Sequence, residues 1–174
     1  PIYAHKLSRQ VYHYRISNYY RPYHNALKQE IETLYGHFGQ IWHVNCHSMP
    51  STARPRNSGF LPGKINALSD FVIGDLDGTS SGRDFSLAIR DFLKSAGYQV
   101  SMNDPYKGVE ILQRYGAPSL NRHSVQLEIN KALYVNEQSL AKKPDFLNIQ
   151  NDMKRLMIYL ADCIKSWQVP AAAD

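Results

Sequence analysis

Apolar and polar residues recur with two different periods along this chain, and the two periods predict helices and strands. Helical spacing from 23 to 34, with Pro22 suited to the first turn and Gly36 to the end, predicts a first helix. A second helix is predicted over 85–93, stopping near Gly97. A third, from about 145 to 168, carries an apolar stripe and should pack across a sheet; the stripe comprises Ile149, Met153, Leu156, Leu160, Ile164 and Trp167.

Short apolar runs predict four strands, at 41–46, 71–74, 99–102 and 124–129. In the last of these, Val125, Leu127 and Ile129 fall on one face, whereas Gln126 and Glu128 fall on the other. Between the first two strands, residues 47–69 predict a long loop, and 75–78 predict a tight turn. The alternation of helices and strands favours an α/β fold with three αβα layers and a mostly parallel or mixed sheet.

Length and composition limit the class of protein. A chain of 174 residues with 43% apolar and 20% charged residues predicts one globular domain, residues 1–174. No apolar run is long enough to span a bilayer and the first residues lack a secretory signal, so we expect a cytoplasmic protein without a membrane partner. Two distant cysteines fit reduced thiols. The charge of +5 is scattered, which argues against a nucleic-acid partner; oligomerisation stays open.

Two residues near predicted strand ends are candidates for chemistry. His47 follows the first strand, where an imidazole can enter a cleft or serve as a hydrogen-bonded structural residue. Glu128 is a buried base if its strand is central, and a solvated surface residue if the strand lies at an edge. Because ligands bind beyond the carboxyl ends of strands in α/β sheets, His47 and the segment after Met102 are expected on one rim.

That segment collects groups that can recognise a carboxylate. Asn103 and Tyr106 lie in 103–108, and Arg114 follows, so amide, phenol and guanidinium groups are close in sequence. The same composition also suits an exposed Pro/Gly turn. In the predicted loop, Arg54 and Arg56 either bind an anion or keep the loop soluble.

Five motifs occur in an order that resembles the N-formylglutamate amidohydrolase family: YRPYHNAL, VNCHSMPS, FVIGDLDGTSS, NDPYKGVEILQRYGAP and HSVQLEINKALYVNE. The resemblance covers about 19–137. It implies a fold similar to the zinc carboxypeptidases (phosphorylase/hydrolase-like) and a zinc-dependent hydrolase of linear amides. The implied substrate is N-formyl-L-glutamate or a related N-acyl amino acid, as in histidine degradation.

The resemblance also implies roles for particular residues. His47 matches a zinc ligand, and Glu128 matches the general base that takes a proton from the attacking water. Arg114, Asn103 and Tyr106 are then expected to contact the substrate carboxylates, and Gln126 is a further candidate for substrate binding. The family's other zinc ligands, a His-and-acid pair, and its Asn-Arg substrate motif are expected upstream of residue 1.

Some features depart from the family pattern and leave alternatives open. Val109 stands where a second glycine is usual, and Lys131 where an arginine is common. Because His47 alone cannot hold a zinc ion, a non-catalytic small-molecule-binding or interaction module is the alternative to the enzyme. A third hypothesis is that the basic charge serves an anionic polymer.

Overall fold

The computed structural model describes residues 3–53 and 66–167. Arg54 and Arg56, and with them the middle of the predicted loop, lie outside the described residues. The chain divides into two compact units, residues 1–41 and 42–174. In the described part of the chain, no helix is both long and apolar enough to cross a membrane.

The first unit is helical. Helix α1 (Arg9–Arg15) leads through a π-turn (Ile16–Tyr20) into helix α2 (Arg21–Phe38). Pro22 lies in the first turn as predicted, but Gly36 lies inside the helix. The helix ends instead at Gly39, which has a left-handed φ of 66° and donates its N–H to the carbonyl of Tyr35. A glycine in the left-handed conformation just after a helix satisfies one of the last carbonyls, here that of Tyr35. The helix therefore ends at Gly39 and not at Gly36.

The second unit contains the sheet. Its strands are β1 (Ile41–Met49), β2 (Thr52–Ala53), β3 (Asn66–Ala67), β4 (Phe71–Gly74), β5 (Val100–Met102) and β6 (Arg122–Asn130). Strand β1 begins at Ile41, the last residue of the first unit. Its helices are α3 (Arg83–Ser95), α4 (Glu110–Tyr115) and α5 (Phe146–Trp167), with 3₁₀ turns at Pro118–Leu120 and Lys131–Leu133. Helix α4, unlike the other two, was not predicted.

Four strands form a mixed sheet in the order β1-β6-β4-β5. Strand β4 runs parallel to β5 and antiparallel to β6, while β2 and β3 form a separate antiparallel ribbon. The predicted α/β class and mixed sheet are therefore confirmed. Strand β6 is central, so the carboxylate at position 128 is not on an edge strand.

One prediction about β1 was wrong. The strand was expected to end at residue 46 and His47 to start a loop, but β1 continues to Met49. His47 therefore lies within a strand whose neighbour is β6. Pairing with a central strand satisfies backbone groups of residues that composition alone assigns to a loop.

One face of the sheet is packed against α3 and α5. Phe71 and Ile73 of β4 and Val125 and Leu127 of β6 are fully buried there. The helices contribute Phe85, Ile89, Leu93, Leu156 and Leu160 to the same cluster. Removal of this apolar surface from water, at roughly 25 cal/mol per Å², is the main stabilising contribution to the unit. The predicted packing of the C-terminal helix on the sheet is confirmed.

Candidate functional site

The opposite face of the sheet is polar. In the β4–β6 register Val72 pairs with Glu128 and Gly74 with Gln126, so these residues point away from Leu127. Contacts with β6 put alternate residues of β1 on the same side. We call this surface the polar face; its side chains are His43, Asn45, His47, Ser124, Gln126 and Glu128.

Glu128 is the buried carboxylate of the polar face. The residue is 5% exposed, and its Oε1 accepts a hydrogen bond of 2.7 Å from Nε2 of Gln126. The Nδ1 atom of His47 lies 3.5 Å from the same oxygen. The His47 side chain is 37% exposed, so the pair joins a desolvated carboxylate to an imidazole that solvent or a ligand can reach. Such a pair can accept and relay a proton from a bound molecule.

Asn45 constrains the tautomer of His47. Its Nδ2 lies 3.0 Å from Nε2 of His47. An amide nitrogen is only a donor, so Nε2 must offer its lone pair and the ring proton belongs on Nδ1. That proton then faces the carboxylate of Glu128, an orientation of the kind that neighbouring groups impose on functional histidines.

The polar face continues beyond this pair to His43. Its Nδ1 lies 2.9 Å from Oγ of Ser124, and the hydroxyl of Ser80 donates to the Ser124 carbonyl at 2.8 Å. Burial lowers the pKa of the His43 imidazole. Neither His43 nor Asn45 was predicted as a site residue. The signal was present, since His43, Asn45 and His47 occupy every second position of one strand.

Asn103 lies where β5 ends and holds the turn after β4. Its Oδ1 accepts from the backbone N–H of Asp75 at 2.9 Å, and its Nδ2 donates to Oδ1 of Asp75 at 2.8 Å. These bonds tie 75–78 to the segment 103–108. Substrate contact by Asn103 stays a prediction.

The segment 103–108 crosses the polar face beside Gln126. A Cβ on Gly74 would lie 2.5 Å from the carbonyl carbon of Lys107 and 2.7 Å from the nitrogen of Gly108. A side chain at position 74 is therefore excluded, and the backbone takes its place. Because Gly74 pairs with Gln126, the segment lies next to that amide.

The two remaining candidates lie in and after this segment. Tyr106 is half-buried within 103–108. Arg114 is exposed on α4, where its guanidinium pairs with Glu110. Of the predicted set, the structure thus joins His47, Gln126 and Glu128 by direct contacts and places Asn103 at the adjacent strand end.

A catalytic zinc ion takes three protein ligands. His47 offers one imidazole next to Glu128, but within 3–53 and 66–167 no three His, Cys, Asp or Glu side chains come together. The donor set of the described residues is therefore too small for a zinc site. Cys46 and Cys163 are both free thiols, in line with the prediction.

Fold and site define a mixed α/β protein with a buried carboxylate and a partly exposed histidine on one sheet face. The family profile of N-formylglutamate amidohydrolase matches residues 1–135, and the chain belongs to this family. It is 31% identical over 119 residues to N-formylglutamate deformylase of Pseudomonas putida and 29% identical over 125 residues to that of Pseudomonas aeruginosa. These alignments cover 68% and 71% of this chain.

One solved structure agrees with the family assignment, and a second shows the same fold. The N-formylglutamate amidohydrolase from Ralstonia eutropha JMP134 superposes over 95% of this chain with a TM-score of 0.86 and 38% identity. The Agrobacterium tumefaciens gene product Atu2144 has a TM-score of 0.61 over 92% of this chain at 20% identity, which shows the fold alone. The matches cover 42% and 44% of the two deformylases and 58% and 57% of the two solved chains.

Proposed function

We propose that this protein is an amidohydrolase that cleaves the formyl amide of N-formyl-L-glutamate or a related N-acyl amino acid. The observation that carries the proposal is the buried carboxylate of Glu128 beside the partly exposed imidazole of His47. Family membership and the names of two relatives, both N-formylglutamate deformylases, supply the substrate class.

In the proposed reaction, water attacks the formyl carbon while Glu128 accepts a proton from that water. The carbon–nitrogen bond then breaks, and the proton passes from Glu128 to the leaving amine. One water is consumed, and the products are formate and the free amino acid. Burial keeps bulk water from competing for the carboxylate, and Gln126 holds one of its oxygens in place.

Recognition of the amino-acid part is assigned to the segment after β5. We propose that Arg114 and Tyr106 bind the substrate carboxylates, since a guanidinium pairs well with a carboxylate and a phenol can donate to it. Asn103 contributes by fixing 103–108 against the turn at 75–78. A cytoplasmic location and a place in histidine degradation stay predictions.

Zinc is part of the proposal as a group that His47 would help to hold. The lone pair on Nε2 would serve the metal in place of the present contact with Asn45. Its other ligands would have to come from outside the described residues, because those residues supply too few donors. A bound zinc would polarise the formyl carbonyl and acidify the attacking water.

Formate release tests the function. In the longest natural form of the protein, Glu128→Gln should lower kcat/KM for N-formyl-L-glutamate by about 10²–10⁴-fold, because it removes the proton acceptor. Glu30→Gln, which changes an exposed carboxylate of α2, is the matched control and should leave the rate unchanged. An active protein that Glu128→Gln does not impair would exclude the assigned role. Zinc content is measured on the same samples.

A second candidate function is a binding module without turnover. The incomplete donor set of the described residues favours it. It predicts that metal-free protein binds N-formyl-L-glutamate in a calorimetric titration and releases no formate with or without added zinc. Zinc-dependent turnover would exclude it.

A further inference from the structure

The side-chain amide of Gln126 makes a hydrogen bond through its nitrogen, while its oxygen has no partner among the described residues. We call this oxygen the open acceptor. The residue is 3% exposed, and its Nε2 donates to Oε1 of Glu128 at 2.7 Å. Its Oε1 is buried and has no hydrogen-bond partner among the described residues. A buried carbonyl oxygen without a donor loses its hydration and gains no hydrogen bond, so the fold retains an unfavourable group beside its buried carboxylate.

The orientation of this amide follows from chemistry. A carboxylate oxygen accepts hydrogen bonds, so the amide nitrogen must face Glu128. Rotating the amide by half a turn would oppose two acceptors and leave the nitrogen open instead. The open group is therefore an acceptor, and the molecule that completes it must bring a donor.

The position of the open acceptor indicates which donor it meets. Residues 126 and 128 are on the same face of β6, so their side chains project side by side, roughly 7 Å apart at the backbone. The segment 103–108 bounds this part of the polar face, because its backbone fills the place of a side chain at Gly74. A ligand placed for proton transfer with Glu128 thus presents its reacting group next to Gln126.

We propose that Oε1 of Gln126 accepts the N–H of the scissile amide, so that the site distinguishes a secondary amide from the corresponding ester. The inference rests on the proposed function and names the atom that recognises the bond to be cleaved. Gln126 then has two roles: its nitrogen positions the base and its oxygen orients the substrate. An ester, which has no N–H, leaves the buried acceptor unpaired.

The test compares two compounds that differ at one atom. Formate release is measured from N-formyl-L-glutamate and from its ester analogue 2-formyloxyglutarate, after subtraction of spontaneous hydrolysis, using the longest natural form of the protein. Gln126→Met removes both polar ends, and any effect through Glu128 is common to both compounds. The amide-to-ester ratio of kcat/KM should therefore fall about tenfold or more in Gln126→Met, equivalent to the loss of one hydrogen bond to a buried group.

Gln126→Glu is the matched second variant. It keeps an acceptor oxygen but makes two buried carboxyl groups share one proton, which impairs Glu128 as a proton acceptor, so the overall rate should fall while the amide-to-ester ratio is retained. An unchanged ratio in Gln126→Met overturns the inference and leaves the proposed function intact. If Gln126→Met does not fold, as judged by circular dichroism, equal dissociation constants of the two compounds for the unaltered protein overturn it.

Failure of the proposed function is distinguishable from failure of this inference. A protein that releases no formate from either compound is not the proposed enzyme. Calorimetric titration then decides the inference alone: tighter binding of the amide than of the ester, lost in Gln126→Met, supports it, and equal binding refutes it.

Discussion

The two faces of strand β6 are both buried, but they are buried by different neighbours. Val125 and Leu127 are fully enclosed by apolar side chains of α3 and α5. Gln126 and Glu128, on the other face, are 3% and 5% exposed and meet polar groups of β1 and of each other. Exposure alone therefore does not distinguish core from site in this sheet; the chemistry of the neighbouring layer does.

The comparison shows what each face contributes to the free energy of folding. The apolar face gains from every Å² removed from water. On the polar face, hydrogen bonds must replace the hydration that is lost on burial. The Oε1 atom of Gln126 has no such bond to any of the described residues. A buried acceptor without a hydrogen-bond partner is uncommon in folded proteins, and it distinguishes this face from the apolar one.

The largest expected difference between the faces is in stability. Leu127→Ala should lower the free energy of unfolding by about 2–5 kcal/mol, because it leaves a cavity in a fully enclosed position. Glu128→Gln, one residue away, should change it by less than about 1 kcal/mol, since an amide can keep the bond to Gln126 and need not be buried as a charge. Urea unfolding of both variants measures the two values. Equal destabilisation by the two would show that the polar face is part of the core.

The sequence predicted the alternation in β6 but not its consequences. Val125, Leu127 and Ile129 on one face could be recognised from spacing, whereas the central place of the strand depends on β1 and β4, which are distant in sequence. For the same reason the composition after residue 46 suggested a loop. Strand pairing extends β1 to Met49, which brings His47 into the strand on the same side as His43 and Asn45.

Family motifs supplied what periodicity could not. The motifs indicated His47 as a zinc ligand and Glu128 as the general base, and both roles stay predictions. The structure brings the two side chains within 3.5 Å of each other. The motifs did not indicate the bonding of Asn103, because a side chain that fixes a turn and one that binds a ligand look alike in sequence. The structural role of Asn103 is visible only from its hydrogen bonds to Asp75 in the turn after β4.

A smaller effect should separate structural from ligand-binding polar groups. Asn103→Ala removes the partners of the backbone N–H and the carboxylate of Asp75, so it should cost about 1–3 kcal/mol of unfolding free energy. Asn148→Ala, on the exposed surface of α5, is the control and should stay within about 0.5 kcal/mol. Thermal or urea unfolding gives both values. A stable Asn103→Ala variant with weakened substrate binding would instead assign this amide to the ligand.

The smallest expected effect concerns one histidine on each face. His43 contacts Ser124 on the polar face, while His123 stacks on Trp42 on the apolar face and accepts the N–H of Gly82 at 2.8 Å. Burial lowers the pKa of both imidazoles from the usual 6.5. The unfolded chain then binds protons more readily, so stability that is complete above pH 6.5 is lost progressively as the pH falls toward the lowered folded-state values.

Urea unfolding at pH 7 and pH 5 should therefore show a loss of unfolding free energy in the unaltered protein, and a smaller loss in His43→Gln and in His123→Gln. His37→Gln, at an exposed position of α2, should keep the full pH dependence. If His123→Gln reduces the loss and His43→Gln does not, protonation at His43 is tolerated because the polar face admits water that the apolar face excludes. Identical losses in all four proteins would mean that groups other than these two imidazoles govern the acid response, and that the two faces do not differ in this respect.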